Sequence, residues 1–79
     1  MNAIDKNAEV RPRLILSKNL KALRETYGWS QEDLALEADL HRTFVAHVER
    51  GVRNISIDNI EKLAKALKVE TYILLKQKD

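Results

Sequence analysis

Between His41 and Asn54 the chain gathers three arginines (Arg42, Arg50, Arg53), two histidines (His41, His47) and a single acid, Glu49. A guanidinium fork donates two parallel hydrogen bonds to phosphate oxygens or to the edge of a guanine. A threonine such as Thr43 adds a hydroxyl and a methyl, and the imidazole of His47 donates or accepts. The set suits contact with phosphates and base edges. Other chemistry is poorly served. Ser30, His47 and Asp39 include the residue types of a nucleophilic triad, but so short a chain offers neither pocket nor oxyanion hole, and Ser30 is better placed as a helix cap. No catalytic residue and no enzymatic activity is expected. His41 and His47 are six residues apart and do not share a helical face, so no metal site is expected.

The elements that must position these groups follow from periodicity and punctuation. Pro12 suits the first turn of a helix. Leu16, Leu20, Leu23 and Tyr27 then fall on one helical face, and Gly28 stops the helix. Ser30 opens a second helix, with Asp33 three residues on as its capping partner and Trp29 and Leu34 as a staple around the cap. Leu34, Ala35 and Ala38 face inward, the alanines leaving room for a close helix crossing. Asp39 falls at a turn where positive φ is expected, and Leu40 plugs that turn. A third helix from about Arg42 to Arg50 turns Val45 and Val48 inward and ends at Gly51. Its outward positions are Arg42, Thr43, Ala46, His47 and Arg50. Two short helices joined by a tight turn form a helix-turn-helix, which presents the second helix to the major groove of DNA. Ser56 caps a fourth helix with the stripe Ile57, Ile60, Leu63, Ala64, Leu67, and a fifth runs from about Thr71 to Gln77.

Bulk properties agree with one small all-α domain. The 79 residues carry no cysteine, 33% charged and 44% hydrophobic residues and a net charge of +2. There is room for a single core over residues 11–79 and none for a separate catalytic domain. Residues 1–10 lack periodicity and are expected to be a flexible segment. No apolar run reaches the roughly 20 residues of a membrane span, and MNAIDKNAEVRPR does not read as a signal peptide, so a cytoplasmic location is expected. The segment Glu25 to Asp39 holds five acids and no lysine or arginine. An acidic stretch beside a basic one implies one face toward phosphate and another away from it.

The pattern Ser30-Gln31, Leu34-Ala35, Ala38, Val45, Val48-Glu49-Arg50-Gly51, followed by Ile60, Leu63-Ala64, Ala66-Leu67 and Val69, resembles the Cro and lambda-repressor-like family over about residues 14 to 75. Within it, LHRTFVAHVERGVRNIS (Leu40 to Ser56) is most similar to the controller proteins of restriction–modification systems. Phe44 stands where that group often has tyrosine and Ala46 where it often has serine, so any hydroxyl contact there is lost. Asp39 replaces the usual glycine or asparagine. The resemblance implies a five-helix fold. It implies base reading by Arg42 and Thr43 with His47 secondary, a phosphate contact by Gln31, and contacts by Arg53 and Asn54 to the sugar-phosphate backbone or an adjacent base; Arg50, on the outward face, is a further backbone candidate. It also implies an orienting ion pair between Arg24 and Glu49.

The run Tyr72, Ile73, Leu74, Leu75 is too apolar for one short helix to bury wholly, which points to self-association. A two-fold dimer would set two reading helices about 34 Å apart on a near-palindrome. Ile73 and Tyr72 are the expected interface, and the resemblance, which implies a dimer made by the fifth helix with help from the loop near Ile55, adds Ile55. The expected function is a homodimeric, sequence-specific transcriptional regulator of double-stranded DNA, with two dimers on adjacent sites as a further arrangement. No cofactor, membrane or small-molecule effector is expected, and RNA polymerase is a candidate partner for Glu25, Glu32 and Glu37. A phage-type repressor, an antitoxin, or a protein-interaction module without DNA binding are the alternatives.

Overall fold

The computed structural model describes residues 12–77; the segment 1–10, expected to be flexible, lies outside the described residues. Five helices and no strands make up the described chain: α1 Pro12–Thr26, α2 Gln31–Ala38, α3 Arg42–Glu49, α4 Ile57–Ala66 and α5 Thr71–Leu75. Pro12 begins α1, where its fixed φ helps and its missing N–H costs nothing.

The start of α2 is held by a reciprocal cap. The Ser30 hydroxyl accepts from the Asp33 amide at 3.0 Å, and the Asp33 carboxylate accepts from the Ser30 amide at 2.9 Å. Its end turns through Asp39, whose φ of 58° is left-handed. There the Leu40 amide closes on the Ala35 carbonyl at 2.9 Å and the Asp39 amide on that of Leu36 at 3.3 Å. A residue with a Cβ stores strain in this conformation. Asp39→Gly is therefore expected to raise stability by about 0.5–1 kcal/mol, the relief being partly offset by the freer unfolded chain. A thermal melt should show a rise of several degrees. A fall would show that the aspartate side chain contributes something glycine lacks.

Leu16 and Leu20 from α1, Leu34 from α2, Val45 and Val48 from α3, Leu63 from α4 and Leu74 from α5 meet in one core, each no more than 2% exposed. Ala35, Ala38 and Ala64 are buried with them. Helix α1 packs on α3 and α5, α2 on α3 and α4, and α4 on α5.

Four details differ from the sequence reading. Tyr27 is not on the α1 stripe: the helix ends at Thr26, and Tyr27 is 42% exposed, its ring stacked on Trp29 at 4.7 Å and its hydroxyl donating to the Leu67 carbonyl at 2.6 Å. Ile57 is not in the core either. It is the first residue of α4 and is 64% exposed, because the stripe that faces α2 begins one turn later at Ile60. Helix α3 stops at Glu49, with Arg50 as its cap and Gly51 following at φ 72°. Helix α5 stops at Leu75 and not at Gln77.

Candidate nucleic-acid interface

Helix α3 is capped by His41, whose Nδ1 accepts from the Thr43 amide at 3.1 Å. This cap needs the ring nitrogen unprotonated, and it fixes the first turn of the helix without using serine, threonine or aspartate. Val45 and Val48 are buried on one side. On the other, Arg42, Thr43 and Arg50 are exposed, while Ala46 and His47 are half-buried. Among the described residues no helix covers Arg42 or Thr43, and both side chains at the start of α3 are exposed.

The far end of α3 is held by α1 and α2. Arg24 grips Glu49 with two of its three guanidinium nitrogens, Nε to Oε2 at 2.6 Å and Nη2 to Oε1 at 2.9 Å. The side chains are 11% and 3% exposed. The remaining arm, Nη1, donates to the Trp29 carbonyl at 2.7 Å. Hydrogen bonding to Glu49, ahead of its charge, raises the Arg24 pKa above its ordinary value against the opposing effect of burial, so the group stays charged at any working pH. The Ser17 hydroxyl donates to the Glu49 carbonyl. Gln31, the first residue of α2, donates from its amide nitrogen to Glu49 Oε1 at 3.0 Å. The start of α2 and the end of α3 thus share one carboxylate. Gln31 remains half-buried, and its second amide hydrogen has no partner among the described residues.

The loop after α3 folds back toward it. The Arg53 guanidinium lies 4.9 Å from the centre of the Phe44 ring, a cation–π arrangement that brings Arg53 beside the first turn of α3. Asn54 is exposed next to it. Gly51 starts this loop with a left-handed φ of 72°, and a Cβ there would meet Leu14 Cδ2 at 2.8 Å. Arg53 thus reaches α3 at Phe44, the residue after Thr43, while Arg53 and Asn54 also line a groove with Leu16, Ile55, Ile60 and Leu75. Gln31 and Arg50 lie toward the opposite end of α3. Ile55 shares an open groove with Leu75, Leu16 and Ile60, whereas Tyr72 and Ile73 do not line it. Tyr72 is 63% exposed and Ile73 half-buried.

Three contributors were missed by sequence reasoning: the His41 cap, Ser17 and the buried Asn19. Asn19 had a signal. It falls three residues after Leu16 on the inward stripe of α1, a place where a polar residue must have partners. Among the described residues no cluster of three or more histidines, cysteines or acids could hold a metal, and no helix is long and apolar enough to cross a membrane.

A helix-turn-helix family model matches residues 20–74. The control protein C.BamHI of Bacillus amyloliquefaciens is 48% identical over 64 residues, which cover 80% of this chain and 79% of the relative. The crystal structure of the restriction–modification controller protein C.AhdI from Aeromonas hydrophila has a TM-score of 0.76 and 45% identity, covering 78% of this chain and 94% of the other. The controller protein C.Esp1396I, solved as a tetramer with its natural 35-base-pair operator, has a TM-score of 0.73 and 34% identity over 78% of this chain and 82% of its own. The chain belongs to the helix-turn-helix family and, within it, to the controller proteins of restriction–modification systems.

Proposed function

We propose that this controller protein regulates transcription in the cytoplasm as a homodimer bound to a near-palindromic operator. The observation that carries this is the uncovered outward side of α3, with Arg42 and Thr43 at its free end and the opposite side locked into the core. Arg42 and Thr43 contact base edges in the major groove, with His47 secondary. Gln31, Arg50, Arg53 and Asn54 contact the sugar-phosphate backbone, and these contacts set the register. The Arg24–Glu49 pair orients α3 by fixing its end to α1. Ile55, Tyr72 and Ile73 form the dimer contact, and a two-fold axis places two copies of α3 one helical turn apart. The regulator acts through its own concentration and needs no bound small molecule. Glu25, Glu32 and Glu37 are all exposed and supply an acidic surface for RNA polymerase. Charge reversal there that left promoter output unchanged would remove that partner. The regulator so proposed carries out no catalysis.

Selection of bound duplexes from a random pool tests the reading. The expected product is a two-fold symmetric site with half-sites about 34 Å apart. Failure to enrich any sequence above background would overturn it, in favour of a module that binds protein alone.

Arg53 separates phosphate contact from base reading. Arg53→Ala is expected to weaken specific and random DNA by the same factor and to flatten the salt dependence by about one per subunit. Titrations at two or more salt concentrations check both. A loss confined to the selected site would make Arg53 a base reader.

A further inference from the structure

Helix α5 has only five residues, too few to be stable alone, and its last carbonyls have no partner within the helix. Asn19 of α1 supplies one. Its side-chain nitrogen donates to the Leu74 carbonyl at 2.9 Å and the Lys76 carbonyl at 2.8 Å, with a longer arm of 3.3 Å to Ile73. An amide nitrogen carries two hydrogens, so the two short contacts use both and the third is shared. Asn19 is the buried polar residue of the described core, at 5% exposure. It fastens the end of α5 to α1 from inside the protein.

The same helix fastens the end of α3. Ser17 and Arg24, seven residues apart on one side of α1, hold the carbonyl and the carboxylate of Glu49. Asn19 lies about 200° around the helix from Ser17. Helix α1 packs on both α3 and α5, whose other close neighbours are α2 and α4 respectively. The shortest route from α5 to α3 therefore runs through the single helix α1, the other passing through both α4 and α2. One end of that route is held by Arg24, Ser17 and Glu49, the other by the apolar plug Leu74 and the Asn19 amide.

We infer that Asn19 is a positioning residue that selects half-site spacing: by locking α5 to α1 it fixes how far apart, and at what angle, a dimer holds its two α3 helices. This rests on the reading that α5 makes the dimer. Each base pair added between half-sites moves one of them by about 3.4 Å and turns it by about 35°, so a rigid dimer accepts one spacing. A buried side-chain tie removes rotational freedom that apolar packing alone leaves, since packing is non-directional and hydrogen bonds are not.

The test uses the full chain and synthetic duplexes in which two identical half-sites, taken from the selected operator, are separated by the preferred spacer or by one or two base pairs more or fewer. The quantity read is the affinity ratio between preferred and altered spacing. Asn19→Ala is expected to compress that ratio about tenfold while changing binding to a single half-site by less than about twofold, because no DNA contact is touched. Ile60→Val, which trims the core without touching a polar tie, serves as the stability control and should leave the ratio unchanged. If Asn19→Ala does not fold, Asn19→Ser, which keeps one donor, is read in the same way.

An unchanged ratio in a folded, dimeric variant overturns the spacing role, as does equal compression in Ile60→Val. Loss of folding in both Asn19 variants assigns the residue to stability alone and also overturns it. Sedimentation of the wild-type protein separates this from the underlying reading: a monomer on its operator would defeat the dimer itself, whereas a dimer with an unaltered spacing profile defeats only the role of Asn19.

Discussion

Glu49→Ala should lower the stability of the domain by about 3–5 kcal/mol, the cost of leaving a partly buried cation without its counterion. The side chain of Glu49 is 3% exposed and that of Arg24 is 11% exposed, so water cannot replace the lost carboxylate at full strength. After the substitution Arg24 keeps one acceptor, the Trp29 carbonyl at 2.7 Å, and Gln31 loses the partner it has at 3.0 Å. A domain of this size has a total stability of only about 4–12 kcal/mol, so the variant should lie near its unfolding threshold. Urea denaturation of wild type and variant measures the difference directly. A loss below about 1 kcal/mol would mean that the pair behaves as an exposed one, screened by solvent.

The double replacement Arg24→Met with Glu49→Leu sharpens the point. Removing both charges together abolishes the desolvation cost along with the attraction, and the pair should come within about 1–2 kcal/mol of wild type. If the ion pair served stability alone, the double variant would be fully functional. If it orients α3, the double variant should fold yet bind its selected operator more weakly. Ser17 would still hold the Glu49 backbone carbonyl position, but the start of α2 would no longer be joined to the end of α3 through a side chain.

Much of this arrangement is legible in the residues because it is local. The Ser30 cap, the left-handed Asp39 and the inward pair Val45 and Val48 are each decided within a few residues, and each is present. The departures have physical causes that spacing alone does not carry. Tyr27 continues the apolar period of α1, but its phenol has a hydroxyl that reaches the Leu67 carbonyl across the fold, and the helix ends before it. Ile57 has the right period for α4, yet a first helical residue lies beyond the neighbour it would have to meet. Asn19 escapes a count of apolar positions, which skips a polar residue on the buried stripe. Its partners are carbonyls 54 to 57 residues further on, which no local pattern can indicate. The site residues divide in the same way. Types and helical phase bring Arg42 and Thr43 to one outward side, whereas the stacking of Arg53 on Phe44 depends on how a loop returns.

Arg42→Ala should weaken binding to the selected operator by about 1–3 kcal/mol and relax preference at one base pair in each half-site. The alternative account is that Arg42 adds only positive charge. Arg42→Lys distinguishes the two, since lysine keeps the charge and loses the planar two-pronged donor. A charge contribution would be retained in the lysine variant on selected and random DNA alike. A base-reading contribution would be lost from the selected site in both variants, while binding of random DNA by the lysine variant stays close to wild type. Neither change should alter folding by more than about 0.5 kcal/mol, because Arg42 is exposed at the first position of α3 and the cap of that helix belongs to His41. Equal losses on the selected site and on random sequence, restored by lysine, would remove Arg42 from the set of readers and leave Thr43 and His47 to carry discrimination.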